Sequence, residues 1–210
     1  MAQKIDIVLA STSPRRRDLL AREGVPFQVL APEVDEELEP DLLSRPEEAA
    51  KKLAERKAGA AVQHILGTPG YVGAAAVIGA DTVVVSGGRI FGKPADEAEA
   101  AAMLRELSGR SHEVITGVSV WLVSAPTPED VSLGFRTLSE TSRVAFKELS
   151  DEQIAAYVAG GEPMDKAGAY GIQGEGGAFV ERVDGDFDNV VGLPVKRLLR
   201  EFSEIFEAAR

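Results

Sequence analysis

The sequence predicts an α/β fold with a mixed β-sheet, and three observations carry that prediction. Short apolar runs of strand character alternate with alanine- and glutamate-rich helical stretches along the chain. A Ser86-Gly87-Gly88-Arg89 turn folds one strand back as a hairpin, which puts an antiparallel pair into an otherwise alternating pattern. With 210 residues, 44% hydrophobic and 27% charged, the chain has ordinary globular composition. At roughly 150 residues per domain, residues 1–210 are expected to form one large α/β unit or two closely packed lobes.

The elements follow in order. Ile5, Ile7 and Leu9 alternate with Asp6 and Val8 as a first strand, and Ser11-Thr12-Ser13-Pro14 turns it into a helix. Ser13 suits the N-cap and Pro14 the first helical position. Leu19 and Leu20 mark that helix's buried face, and Gly24 stops it. Residues 27–30 read as a short strand and residues 33–41 as an acidic loop. Pro46 opens a long helix to about Leu66. A loop over 67–73 precedes a buried strand over 77–85. Asp96 starts the next helix and Ser108-Gly109 ends it. A strand over 114–123 is joined through a proline-containing stretch, 125–130, to a strand over 141–147. Ser150 and Gln153 make a capping box for a helix reaching Val158, stopped by Gly160-Gly161. The glycine-rich stretch 168–177 leads to a strand over 178–183, and Pro194 opens a terminal helix. No internal repeat is present.

Composition excludes several function classes. Acidic residues outnumber basic ones by 34 to 23, a net charge of −11. Such a field repels nucleic acid and anionic lipid, so neither is an expected partner, and an anionic ligand must be met by a local basic cluster. The absence of cysteine removes disulfides, thiolate nucleophiles and sulfur-ligated metals. With only His64 and His112, a multi-histidine metal centre is impossible. The apolar run 5–10 is short and broken by Asp6, so neither a signal peptide nor a membrane span is expected and the address is cytoplasmic.

Four places could carry chemistry. Ser11-Thr12-Ser13-Pro14-Arg15-Arg16-Arg17 sets hydroxyls, free N–H groups and arginines where a strand meets a helix N-terminus. It is either an anion site or an ordinary capped helix, and it lacks the glycine spacing of a Walker loop. Asp81, in Gly79-Ala80-Asp81-Thr82, interrupts an apolar strand. A carboxylate there needs a divalent cation or a charged partner. Asp35-Glu36 either adds ligands to the same ion or belongs to a solvated loop. Lys57 and Lys93 are single charges that sequence leaves at the surface unless something recruits them. The stretch 165–174 combines small residues with Gln173, whose amide both donates and accepts. His112 reads as a structural histidine. These residues describe an α/β protein that binds a phosphorylated small molecule with a divalent ion.

Taken together, several blocks closely resemble the Maf family. They are Leu9-Ala10-Ser11-Thr12-Ser13-Pro14-Arg15-Arg16, Gly79-Ala80-Asp81-Thr82-Val83-Val84, Gly92-Lys93-Pro94, Ser108-Gly109 through His112 to Thr116-Gly117-Val118, Asp165 through Gly174, and Asp188-Asn189-Val190-Val191-Gly192-Leu193-Pro194. They occur in the family's order over nearly the whole chain. The resemblance implies an elongated mixed sheet flanked by helices around a central cleft, similar to the inosine triphosphatases. It implies hydrolysis of a nucleoside triphosphate to the monophosphate and pyrophosphate, a house-cleaning activity linked in bacteria to inhibition of septum formation. By the same resemblance Asp81 is the proton acceptor and Glu36 the holder of a divalent cation, Mg²⁺ ahead of Mn²⁺. Ser11, Arg16, Lys57 and Lys93 surround the triphosphate, and Arg15, Thr82 and Gln173 set base choice. The Gln173 block looks like the dTTP/UTP branch, whereas the 7-methyl-GTP branch replaces that glutamine. The same chemistry on a modified nucleotide and a non-catalytic nucleotide-binding division regulator are the competing readings. The stretches 67–76 and 124–137 look longer than a compact member needs and are expected to enlarge surface loops, altering any homodimer geometry carried over from the family.

Overall fold

The computed structural model describes residues 5–209. One seven-stranded mixed sheet runs through the molecule in the order β2-β1-β3-β5-β6-β7, with β4 beside β3. β1 (Ile5–Leu9) lies parallel to β2 (Gln28–Val29) and to β3 (Gly73–Ser86). β4 (Arg89–Phe91), β5 (Ser111–Thr127), β6 (Asp130–Phe146) and β7 (Val180–Asp184) are joined by antiparallel pairings. α1 (Pro14–Arg22) starts where Ser13 accepts a bond from the Arg16 N–H, as the sequence expected. α3 (Glu97–Leu107) is capped by Asp96, and α4 (Asp151–Ala159) by the Ser150–Gln153 box.

Alternation along β3 assigns its two faces to different helices. Ala76, Ile78 and Ala80 join the core made with α1 and the C-terminal residues Val191, Leu193, Val195 and Leu198. Ala75 and Val77 face the other way, onto Ala58, Ala61 and Val62 of α2 (Pro46–Leu66). That helix lies unusually close to the sheet. A Cβ on Gly79 would run into the Ala54 carbonyl oxygen and the Ala58 backbone nitrogen, and one on Gly117 into the backbone of Ala50 and Lys51. The glycines in the strands and the alanines on the helix together bring backbone against backbone.

On its free edge β3 has two partners in succession. β1 pairs with it as far as Ile78, and β4 begins at Val84. Between them, residues 79–83 are paired only with β5. The sheet therefore has a notch at Asp81 and Thr82.

Three expectations are corrected. The stretch 124–137 is not a loop, because β5 and β6 continue as a long hairpin whose turn is residues 128–129. Val131, Leu133 and Phe135 carry the period-two pattern, and the register shift between Ser124 and Thr127 absorbs Pro126, which has no N–H to give. Likewise β3 starts at Gly73, so only residues 67–72 are loop there. The terminal helix that Pro194 opens is two short ones, α6 (Val195–Glu201) and α7 (Ser203–Ala209), and a further short helix, α5 (Phe187–Val191), precedes them. Gly192 at φ 130° ends α5, Pro194 caps α6 as expected, and Phe202 outside helical angles separates α6 from α7. Among the described residues no helix is long and apolar enough to cross a membrane.

Candidate active site

The notch opens into a cleft of about 1160 Å³. The nine residues to which the family resemblance gives a role all line it: Ser11, Arg15, Arg16, Glu36, Lys57, Asp81, Thr82, Lys93 and Gln173. One wall brings together Lys57 of α2, Asp81 of β3 and Glu36 of the loop that precedes α2. Lys57 Nζ lies 2.5 Å from Asp81 Oδ1 and 2.6 Å from Glu36 Oε1, and the Lys57 and Asp81 side chains are only 15% and 12% exposed. The close approach at Gly79 makes this pair, because it lowers α2 until position 57 reaches the strand. Lys57 is therefore no surface lysine. Asp81 has the charged partner that a buried carboxylate needs, and its Oδ2 makes no hydrogen bond among the described residues.

Glu36 is held from both sides, with Lys93 Nζ 3.2 Å from its Oε2. Burial by itself would raise its pKa, but the hydrogen bond and charge of Lys57, then of Lys93, hold it below the usual carboxylate value. Both carboxylate oxygens thus already face cations. Asp35, beside it, does not join the cleft; its Oδ1 accepts from the Glu37 N–H at 2.8 Å in a local turn. Arg56 straps the same loop to α2 through the Glu37 carbonyl and the Glu39 carboxylate.

Thr82 points to the opposite face from Asp81, and there α1 delivers Arg16. The Arg16 guanidinium donates to the Gly192 carbonyl at 2.8 Å, to Ser11 Oγ at 3.3 Å and to Thr82 Oγ1 at 3.2 Å. Burial draws its pKa down, while the charge of Asp81 opposes that. Arg15 lies nearer the rim, 3.7 Å from Asp165. Gln173 is exposed at the lip, on the turns that follow Tyr170, and its side-chain amide makes no hydrogen bond among the described residues.

Sequence reasoning missed several contributors. Gly192, Thr116 and Asn189 were noticed only as parts of matched blocks; Gly192 O meets Arg16, Thr116 meets Thr82 and Asn189 O takes the Thr116 hydroxyl, across separations of 34 to 176 positions. Lys166 was quoted in its block, but nothing there showed that its ammonium would bond the Glu162 carbonyl and Asp165. His112 stands apart from the cleft, edge-on to Phe146 and Tyr170, its Nε2 2.8 Å from the Tyr170 hydroxyl. Burial pushes its pKa down to about 4, so it is a neutral structural ring near pH 7.

Among the described residues no group of three or more His, Cys, Asp or Glu could hold an ion unaided. Glu36 offers oxygen donors of the kind a hard divalent cation takes, and both of its oxygens are engaged by ammonium groups.

A family model described as Maf-like protein matches residues 6–205. A dTTP/UTP pyrophosphatase of Geobacillus sp. (strain WCH70) is 47% identical over 199 residues, covering 95% of this chain and 97% of its own. One of Bacillus thuringiensis subsp. konkukian (strain 97-27) is 45% identical over 198 residues, 94% of each chain. Among solved structures, a nucleoside-triphosphatase / dITP/XTP pyrophosphatase from Mycobacterium abscessus is a distant likeness, 17% identical with a TM-score of 0.36 over 69% of this chain and 76% of that one.

Proposed function

The chain belongs to the Maf-like protein family, and from that premise we propose that it hydrolyses dTTP and UTP to the nucleoside monophosphate and pyrophosphate. Relatives of that activity match it at 44–47% identity over nearly their full length. One observation carries the reading. In a chain of net charge −11, a single cleft gathers Ser11, Arg16, Lys57 and Lys93 against the carboxylates of Glu36 and Asp81. That is the local basic cluster a triphosphate requires, with a base beside it.

The roles follow from position. Arg16 offers a planar fork to phosphate oxygens at the N-terminus of α1, where unpaired N–H groups add to the attraction. Lys57 and Lys93 bring charge from the opposite wall to meet the departing pyrophosphate. Asp81 accepts the proton of the attacking water through the oxygen that Lys57 leaves free. Glu36 would hold the divalent cation, which when bound supplies further neutralising charge on the phosphates. At the rim, the Gln173 amide pairs with half of the acceptor–donor–acceptor edge shared by uracil and thymine, and Arg15 lines the same cleft.

The test is a nucleotide panel with Mg²⁺, read for pyrophosphate against orthophosphate. UTP and dTTP should yield pyrophosphate, and a chelator should abolish turnover. Stoichiometric orthophosphate release would overturn the proposal.

A further inference from the structure

The block Asp188 through Gly192 supplies none of the groups given a role above, yet it grips the element that supplies Arg16. Gly192 O takes the Arg16 Nε–H. Asp188 accepts two bonds from Arg22, at 3.2 and 2.6 Å, at the other end of α1. Asn189 is buried and fixed by its Nδ2, which donates to Val114 O and Ser142 Oγ at 3.0 Å each.

Between Asn189 and Arg16 runs a chain of hydroxyls whose protons can be assigned. Thr116 Oγ1 donates to Asn189 O at 2.9 Å, and a carbonyl can only accept. A hydroxyl has one proton, so Thr116 has none left for Thr82. The 2.9 Å contact between the two hydroxyls is therefore donated by Thr82. Thr82 keeps only lone pairs, and one of them takes Arg16 Nη2–H at 3.2 Å. Thr82 has no proton to offer a ligand.

We propose that Thr116 is a positioning residue that, through Thr82, aims the Arg16 guanidinium from the α5 turn. Thr82 thereby serves the phosphate end of the cleft rather than donating to the base. This rests on the cleft being a triphosphate site.

Thr116→Val keeps the shape of the side chain and removes both ends of the relay. With UTP and Mg²⁺, kcat should fall about tenfold, as expected when a catalytic charge is misplaced by a fraction of its reach. KM should stay within about twofold, because the charge of Arg16 remains in the cleft and only its direction is lost. Thr116→Ser should restore kcat. In an Arg16→Lys background, where charge stays but the fork is gone, Thr116→Val should add no further loss. Wild-type kcat in Thr116→Val, or the same loss in both backgrounds, overturns the proposal. Should circular dichroism show Thr116→Val unfolded, Thr82→Val on the cleft wall decides by the same cycle. A wild-type protein that releases no pyrophosphate refutes the proposed function, and this proposal with it. An active wild type with both valine variants unaffected refutes this proposal alone.

Discussion

The two walls of the cleft are built differently. On one, α2 presses its backbone onto Gly79 and Gly117, and Lys57 reaches Asp81 as a consequence. On the other, three short 3-10 turns, Glu162–Asp165, Ala167–Ala169 and Glu175–Phe179, carry the rim past Gln173. These turns hang largely on one carboxylate. Glu162 accepts from the Tyr157 hydroxyl at 2.9 Å, the Glu175 N–H at 2.9 Å and the Gly176 N–H at 3.3 Å. The first wall is held by backbone contact that no rotamer change can loosen; the second is held by polar contacts that can be retuned singly. Of these two walls, the first should govern rate and the second base choice, with Arg16 adding to rate from α1.

The sharpest way to break that division is Asp81→Asn. Removing a general base costs typically ~10²–10⁴-fold in rate, so kcat should collapse while nucleotide binding and the fold persist. A loss of less than tenfold, measured beside an unchanged nucleotide affinity, would take the chemistry off this wall.

Gln173→Glu probes the rim. It replaces a donor by an acceptor facing a pyrimidine carbonyl, a mismatch of about 1–3 kcal/mol. That corresponds to a roughly tenfold to hundredfold fall in kcat/KM for UTP and dTTP, with CTP falling less or improving. An equal drop for every base would mean that Gln173 shapes the turn without reading the base.

A pair of glycine substitutions compares the walls directly. Gly79→Ala forces α2 off the strand and should cost ~1–3 kcal/mol in an overpacked contact, with a fall in kcat as Lys57 leaves Asp81. In Gly174→Ala the nearest atoms to the new Cβ are those of the Glu162 carboxylate, the end of a side chain rather than backbone, and the variant should cost less. Thermal melts of the two variants rank them; a larger loss at Gly174 would reverse the comparison.

The smallest effect is one of pH. Burial works to raise the Glu162 pKa, but the bonds from Glu175, Tyr157 and Gly176 hold it below the usual value. A depressed folded-state pKa gives stability that is complete above the unfolded value, about 4.3, and is lost as pH falls through the folded one. Glu162→Gln should therefore melt slightly below wild type at pH 7, by under ~1 kcal/mol in so solvated a place, and the gap should close on acidification. A gap that widens toward low pH would show that the carboxylate charge does not hold the rim.

Much of this protein is written locally. Ser13-Pro14, Asp96 and the Ser150–Gln153 box cap their helices with atoms three residues away or nearer, so a short window holds all the information. The blocks around Ser11, Asp81, Lys93 and Gln173 named their residue types before any fold was known. Prolines misled where context overruled them, as at Pro126, whose missing N–H falls at a register shift of a continuous hairpin. Asp35 and Glu36, adjacent and alike in sequence, separate because one closes a local turn and the other reaches Lys57 and Lys93.

What only the tertiary structure decided is who meets whom. Nothing near Lys57 announces Asp81, 24 positions on, and nothing near Arg16 announces Gly192, 176 positions on. Those meetings arise from a notch where β1 ends and β4 begins, and from glycines that let α2 settle onto the strands. Capping and periodicity are short-range and survive in the sequence as patterns. A site made of charges from separate elements depends on how whole helices pack, and that is settled by the sum of many contacts spread along the chain.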